Sequence, residues 1–485
     1  MSGTRRGAPT SSSVGPDLAP DRRPVSVDAP DPTAGLEARI PSAVRGLLDA
    51  LLGSGHDAYV VGGSVRDHLL GREPGDWDLT TDASPDELRA IFLDARYENR
   101  FGTVVVARDG AEHEITPYRS ERGYADHRRP DVVEFGATLA EDLARRDFTV
   151  NAMAWGRAAG APAGAPDALV DPHGGRADLA AGRIRAVGDP DARFEEDALR
   201  MLRAVRLSAT LGFRIDAATL DAIARRATDI AYLSGERVGA ELQRLLVAPR
   251  PSVGLRLMEA TGLLEATLPE LALQRGIPQS KVRGEDLWDH TVRTTDAAPS
   301  SPVPRLAALL HDIGKPATFA DGRFLHHDVV GARTADAILD RLRLAREPRQ
   351  RVVRLVRHHM FSYEPTWSDA AVRRFIRRVG PDLLEDLFDL RSADDVGSGL
   401  PADPPRTVEI RRRCRDQLAA SVPLRRADLA VDGRDVMAAL GIAPGRRLGR
   451  ILDRLVVRVV DDPSLNTPRG LLTLARAIDR NLEDR

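Results

Sequence analysis

Two residue types are almost missing from this 485-residue chain: it has one cysteine, Cys414, and two lysines, Lys281 and Lys315. A single cysteine excludes an internal disulfide framework and fits a reducing compartment. Long apolar runs are missing too. None approaches the roughly 18 residues of a membrane span, and the first residues lack the apolar core of a secretory signal. The expected setting is the cytoplasm, with no membrane partner. Neither sign of charge dominates: 70 basic residues face 72 acidic ones, a formal net charge of −2. Such a balance decides nothing about nucleic-acid binding, because local patches survive inside it. Arginine supplies nearly all the positive charge. A coding bias toward Ala, Arg and Gly explains that as readily as phosphate recognition does, and composition alone favours the bias.

What is present is a globular composition, 42% hydrophobic, at a length that accommodates about three or four domains. Residues 1–36 are rich in Ser, Pro, Gly, Asp and Arg without a hydrophobic period and are expected to form a disordered tail. A helix is expected at about 37–54. From 57 to about 155, short β-rich runs such as Thr103-Val104-Val105-Val106 alternate with helices, and 158–168 reads as a loop between strands. After 190 the pattern is amphipathic helices, at 195–211, 216–226, 235–247, 251–261, 305–312, 330–344, 347–358, 369–379 and finally 469–481. The expected class is multidomain α+β. An α/β head at 37–185 precedes all-helical segments at 186–280, 281–400 and 401–485.

The densest chemistry lies at Tyr59-Val60-Val61-Gly62-Gly63-Ser64-Val65-Arg66-Asp67 and, after a short loop, Asp76-Trp77-Asp78-Leu79. This reads as a strand, a glycine turn, a helix start and a second strand. Alternation puts Asp76 and Asp78 on one face of that strand, where both can hold the same metal pair. Carboxylates are the usual ligands of Mg²⁺, and two such ions, roughly 3.5–4 Å apart, clamp an attacking hydroxyl and a leaving pyrophosphate in line. Gly62 and Gly63 let the backbone approach phosphate. Ser64 with Asp67 reads as the capped start of a helix over 64–70 that Gly71 ends. Arg66 falls in its first turn, placed to fork onto phosphate oxygens. An Asp-x-Asp alone is far more often two solvated acids, but the whole assembly within twenty residues is much rarer. Glu114, on a later strand, is either a third carboxylate of this site or a sheet-surface acid.

Further segments follow in order: Arg145-Arg146-Asp147-Phe148-Thr149-Val150-Asn151, Asp171-Pro172-His173-Gly174-Gly175 and Glu196-Asp197-Ala198-Leu199-Arg200. With the head motifs they resemble the class II tRNA nucleotidyltransferase and poly(A) polymerase family over about residues 40–250. The resemblance implies a polymerase-beta-like nucleotidyltransferase head, a helical neck that reads the base, and body and tail regions that grip tRNA. It implies Asp76 and Asp78 as the catalytic ligands of two Mg²⁺ ions and Gly63, Ser64 and Arg66 on the triphosphate. Arg146, Asp147 and Asn151 would meet ribose and triphosphate. The family adds C, C and A to tRNA 3′ ends from CTP and ATP without a nucleic-acid template, and close relatives add poly(A). RNA, not DNA, is then the expected partner.

On the residues alone, Asp147 and Asn151 share a face if their segment is helical, and Asp147 is as readily a helix cap with arginines facing water. Asp197 and Arg200 offer an acceptor beside a donor. That fits the ring acceptor and exocyclic amine shared by C and A, and mismatches U and G. An Asp–Arg pair at i,i+3 is also an ordinary helix salt bridge. Glu236, Arg237 and Glu241 resemble a further family motif with a structural role.

Six of the eleven histidines fall within 286–400. His290, His311-Asp312 before Ile313-Gly314-Lys315, His326-His327, His358-His359 and Asp394 resemble an HD domain, the helical metal-dependent phosphohydrolase fold. It implies His290, His311, Asp312 and Asp394 as mixed nitrogen and oxygen ligands of a divalent transition metal, with His327 and His359 as added ligands or phosphate contacts. Such a site attacks a phosphoester with metal-bound hydroxide, and the fold also persists without metal as a support for RNA. Only one of His326 and His327 can align, and Asp394 is followed by Asp395. In 401–485, Arg446, Arg447 and Arg450 either follow RNA backbone or face solvent. The expected function is CCA addition with an appended HD domain. The alternatives are poly(A), A-only or CC-only addition and, from another class, an HD phosphohydrolase with an RNA-binding head.

Overall fold

In the computed structural model, residues 35–97, 102–122, 132–162, 165–279 and 281–483 are described. Residues 1–34 of the expected tail lie outside them. Its last two positions belong to the fold, since Leu36 is fully buried and opens a short helix, Leu36–Arg39. Ile40 is extended ahead of Pro41, as the proline ring requires, so the expected helix at 37–54 becomes this turn and a separate helix, Ser42–Gly53. The chain divides into two compact units, Met1–Ala272 and Leu273–Arg485.

The first unit is built on a seven-stranded sheet of β1 (Ala58–Val61), β2 (Asp78–Thr81), β3 (Arg96–Tyr97), β4 (Val104–Arg108), β5 (Ala111–Pro117), β6 (Ala154–Arg157) and β7 (Ala168–Val170), in the order β3-β4-β5-β2-β1-β6-β7. β2 and β5 are parallel and the other neighbours antiparallel. Val60, Leu79, Val104 and Ile115 are fully buried in its middle, as branched apolar side chains on a covered sheet should be.

Two registers position the chemistry. Val61 lies opposite Asp78, so the glycine turn leaves the sheet beside that carboxylate. Leu79 lies opposite Ile115, and both are buried, so Asp78 and Glu114, one residue earlier on each strand, turn together to the other face. β2 begins only at Asp78, yet Trp77 is buried between exposed Asp76 and Asp78, which keeps the alternation.

Helix α1 (Gly63–Leu69) follows the glycine turn, and α2 (Pro190–Glu196), α3 (Leu199–Leu211) and α4 (Gly235–Leu246) form the neck. The helix expected at 195–211 is broken at Asp197, which is extended at φ −152°, ψ 104°. Its side chain accepts from the Leu199 N–H at 3.0 Å, a local alternative to continuing the helix. α3 buries Met201, Leu202 and Val205 and turns Arg200, Arg203 and Arg206 to another face. The second unit contains α5 (Leu287–Ala297), α6 (Pro302–Leu310), α7 (His327–Arg341), α8 (Arg346–His358) and α9 (Leu384–Gly397), around a core that includes Trp288, Leu306, Leu309, Leu355 and Phe388. No helix among the described residues is long and apolar enough to cross a membrane.

At Gly156 in β6 (φ +154°), an added Cβ would stand 2.1 Å from the Ala58 carbonyl oxygen of β1, while at Gly160 it would meet open space. Gly156→Ala should therefore destabilise the first unit by about 1–3 kcal/mol. Gly160→Ala should leave thermal melts nearly unchanged, and equal melting of the two variants would contradict this packing.

Candidate functional site

A pocket of about 430 Å³ opens in the first unit, lined at one end by Gly62, Gly63, Arg66 and Asp78. Asp147 and Asn151 form its middle with Arg145 and Arg146, and Asp197, Arg237 and the α3 arginines close it. Seven arginines and three aspartates share this wall, which suits a strongly anionic ligand. Gly62 sits at φ +80°, and a Cβ there would come within 3.1 Å of Arg146 Nη1, so glycine serves both the turn and the arginine's position.

The expected Ser64 cap does not form. Gly62 occupies the N-cap position, Ser64 is buried with its hydroxyl donating to the Val61 carbonyl at 3.3 Å, and Asp67 instead holds Arg66 through two bonds of 2.8 and 2.9 Å. Ser64 is thus not part of the pocket wall. Gly71, at φ +69°, does end the turn.

The segment 145–151 is not an α-helix. Phe148 bridges to Ala186 and Thr149–Asn151 makes a 3-10 turn, yet Asn151 and Asp147 still meet because Asn151 Nδ2 donates to Asp147 Oδ1 at 3.1 Å. Arg66 Nη1 donates to Asn151 Oδ1 at 2.5 Å, and Arg203 Nε donates to Asp147 Oδ2 at 2.8 Å. A continuous relay therefore runs from α1 to α3. Burial alone would raise the Asp147 carboxyl, but Arg203 and Asn151 outweigh it and lower it to about 2.

Asp197 and Arg200 line the same pocket without pairing side chain to side chain. Asp197 accepts from Arg237 at 2.7 Å, whereas Arg200 donates to Glu196 at 2.5 Å and to the Arg193 and Arg145 carbonyls at 3.0 and 3.1 Å. Inside this wall Arg146 Nε and Arg237 Nη1 are buried donors with no protein partner, as an anionic or carbonyl-bearing ligand would require. Arg203, Arg206 and Arg237 are pocket residues that the motifs did not mark as ligand-facing. The three-residue spacing of Arg200, Arg203 and Arg206 was the available signal for the first two.

Asp78 is exposed toward the pocket, and the protein packed around that opening partly desolvates its carboxylate. That burial raises its carboxyl from the ordinary value, with Asp76 adding to the shift and Arg146 opposing it. A hard divalent cation relieves such crowding, so the carboxylates of Asp76 and Asp78 suit Mg²⁺, although of the three expected acids only Asp78 lines the pocket and, among the described residues, no three-ligand cluster joins them with Glu114.

In the second unit, His290, His311 and Asp312 form one potential metal-ligand cluster and Asp312, His327 and His359 another, each within 4.8 Å. Asp394 Oδ1 lies 3.2 Å from His290 Nε2 and 3.9 Å from His311 Nε2. The doubled residues resolve: His327 reaches Asp312 at 3.4 Å while His326 is the exposed residue before α7, and Asp395 turns to Arg391. His311, His327 and His359 each set Nδ1 2.7 Å from the carbonyl three residues back, at Ala308, Phe324 and Val356. Nδ1 then carries the proton and Nε2 the lone pair. The Nε2 atoms of His327 and His359 nevertheless face each other at 3.3 Å. Two lone pairs repel at that distance and a cation between them removes the repulsion, so these residues fit a divalent transition metal. Burial lowers the His311 imidazole, favouring its neutral, ligating form.

Fold and site together define a nucleotidyltransferase with an appended HD domain. Family profiles agree: the poly A polymerase head domain matches residues 58–185, the probable RNA and SrmB-binding site of polymerase A matches 212–274, and the HD domain matches 302–398. The CCA-adding enzyme of Levilactobacillus brevis is 35% identical over 86% of this chain and 92% of its own length, and the CC-adding tRNA nucleotidyltransferase of Thermus thermophilus is 38% identical over 82% and 89%. The CCA-adding enzyme of Geobacillus thermodenitrificans reaches 44% identity over 47% of this chain, and there the chain spans about half the relative's length, 54%. A crystal structure of the Bacillus stearothermophilus CCA-adding enzyme in complex with CTP superposes with a TM-score of 0.66 at 28% identity, covering 94% of this chain and all of that one. The chain belongs to the tRNA nucleotidyltransferase and poly(A) polymerase family.

Because Asp147 is depressed from 3.8 to about 2 on folding, its stabilising contribution is complete above about pH 4 and lost as pH falls toward 2. The contribution is on the order of 2 kcal/mol. The stability gap between the native protein and Asp147→Asn, read from denaturant melts, should be widest above pH 4 and narrow toward pH 2. A gap independent of pH would refute the ion pair with Arg203.

Proposed function

We propose that this protein adds CCA to tRNA 3′ ends from CTP and ATP without a nucleic-acid template, in the cytoplasm. The observation that carries this reading is the arginine-walled pocket that joins Gly62, Gly63 and Asp78 to the Asp147–Asn151–Arg203 relay and the Asp197–Arg200 segment. The sequence relatives include CCA-adding enzymes, and the structural relative was solved with CTP. Buried, unpaired Cys414 is compatible with the reducing setting.

Asp76 and Asp78 would hold two Mg²⁺ ions, with Glu114 beside them; these ions supply charge neutralisation for in-line attack of the tRNA 3′-hydroxyl on the α-phosphate and departure of pyrophosphate. Arg66, Arg145 and Arg146 meet the triphosphate oxygens, and Asp142 aims the last two by accepting from Arg145 at 2.6 and 3.0 Å and Arg146 at 3.3 Å. Asp147 and Asn151 orient the ribose. Arg237 fixes the Asp197 carboxylate, while Glu196 and two carbonyls fix Arg200, so acceptor and donor are set before the base arrives. That edge admits C and A and leaves buried groups unpaired against U or G.

CC-only addition is the second reading, favoured by the Thermus relative of that name at 38% identity. In the HD domain, His290, His311, Asp312 and Asp394 would bind a divalent transition metal, with Asp312, His327 and His359 forming the adjoining cluster. When bound, the metal would supply an activated water for phosphoester hydrolysis. One P–O bond forms, another breaks, and the proton of water ends on the leaving oxygen.

With tRNA transcripts ending at the discriminator base, at C and at CC, sequencing of product ends should show stepwise C, C, A addition that then stops. Arrest at CC or a growing A tail would reassign the activity to the sibling reaction. Asp76→Ala and Asp78→Ala should each cut addition by roughly a thousandfold or more. Asp312→Ala should instead abolish metal-dependent phosphoester hydrolysis and lower the bound transition metal measured by elemental analysis, with CCA addition unchanged. Full metal content in Asp312→Ala would remove the HD metal reading.

A further inference from the structure

The middle of the nucleotide pocket depends on a turn too short to hold itself. Thr149–Asn151 closes as a 3-10 turn through bonds of 2.9 and 3.0 Å, from the Asn151 and Ala152 N–H groups to the Phe148 and Thr149 carbonyls. Further support comes from outside the turn and converges on Thr149. Its N–H donates to the Arg185 carbonyl at 2.9 Å, and its own carbonyl faces Gly175 so closely that a Cβ there would stand 2.2 Å away. Its hydroxyl donates to Asp178 Oδ2 at 2.6 Å. Asp178 lies in the short helix Gly175–Ala180 and is fully buried, as Thr149 nearly is, and neither lines the pocket. Arg183 Nε donates to Asp178 Oδ1 at 2.7 Å and Arg185 Nε to Oδ2 at 2.8 Å. One buried carboxylate therefore grips the turn twice, through the Thr149 side chain and through Arg185, whose carbonyl takes the Thr149 N–H. What the turn presents to the pocket is Asn151. Its amide gives one N–H to Asp147 Oδ1 and its oxygen accepts from Arg66, which leaves a second N–H at the pocket wall.

We propose that Asp178 is a positioning residue for sugar recognition: through the Thr149 hydroxyl it fixes the turn so that the second Asn151 N–H meets a ribose hydroxyl, which makes the pocket prefer nucleotides with an intact ribose. The inference rests on the nucleotide-pocket reading above. An N–H aimed at a hydroxyl oxygen is left unpaired when that hydroxyl is missing, and a buried site regains no bond to water in exchange. Such a bond survives only small misplacement. Threonine and valine have nearly the same shape, so the Thr149 hydroxyl contributes direction, not bulk. Without its bond to Asp178 the turn stays packed but is no longer pinned.

The test titrates CTP, 2′-deoxy-CTP and 3′-deoxy-CTP into the full-length protein with Mg²⁺ in a calorimeter, beside incorporation of CTP on a tRNA transcript ending at the discriminator base. The native protein should bind CTP at least about tenfold more tightly than one of the deoxy analogues, and that analogue names the hydroxyl. Thr149→Val and Asp178→Ala should each weaken CTP roughly tenfold and leave that analogue's affinity unchanged, so that the gap closes. In incorporation, KM for CTP should rise by the same factor with kcat held within about twofold. Thr149→Ser and Asp178→Asn, which keep the hydroxyl and an acceptor for it, should restore the gap. Unfolded protein lowers the number of sites and not the ratio of affinities, so Thr149→Val decides the matter even where Asp178→Ala does not fold. Equal weakening of CTP and both analogues, or a lower melting temperature with the gap intact, would make the contact a structural brace and overturn the inference. A native protein that binds the three nucleotides equally would overturn it too. A gap that closes in Thr149→Val, in a native protein that adds nothing to tRNA, would overturn the proposed transfer and leave the positioning role standing.

Discussion

Seven guanidinium groups around one pocket repel one another, and they coexist because each is tied to a carboxylate. Asp67 takes Arg66, Asp142 takes Arg145 and Arg146, Glu196 takes Arg200, Asp147 takes Arg203, Glu241 takes Arg206 and Asp197 takes Arg237. Asp142 and Glu241 are almost fully buried, so removing either would strand charges in a medium that solvates them poorly. The consequence is a cradle whose donors are held in place by the protein itself, ready for an anionic ligand. Arginine suits this work because its planar fork can satisfy a carboxylate on one edge and keep N–H groups on the other.

The same constraint links the sheet to the neck. Asp147 accepts on one side from Asn151, whose own carbonyl oxygen accepts from Arg66 of α1, and on the other side from Arg203 of α3. The glycine-turn end of the pocket and its neck-helix end thus share one hydrogen-bonded element. Displacement at Asp147 would be felt at both ends.

Much of this was legible in the sequence, and the failures have physical reasons. The Asp76 and Asp78 alternation follows from strand period alone, and the positions of most helices follow from apolar spacing. The Ser64 cap failed because a local motif competed with Gly62, whose positive φ takes the cap position. The break at Asp197 was hidden because the apolar period runs through it undisturbed. Arg203 and Arg237 were hidden because their partners lie 56 and 40 residues away in the chain. Residue type also did not foretell that Asp147 and Asn151 would meet through a 3-10 turn instead of a helix. In the second unit, clustering of histidines was visible, but choosing His327 over His326 and Asp394 over Asp395 required the helix directions.

The near absence of lysine acquires a meaning from where the two lysines sit. Lys315 contacts Asp312, and Lys281 lies 3.3 Å from Asp394, so both side-chain amines of the chain adjoin carboxylates of the histidine cluster. Acylating agents that react with lysine therefore meet no side-chain target in the nucleotide pocket, whose cations are all arginine. Acetyl transfer to these side chains would erase charge at the histidine cluster and leave the arginine-walled pocket untouched, which makes the two centres separable by covalent chemistry as well as by mutation.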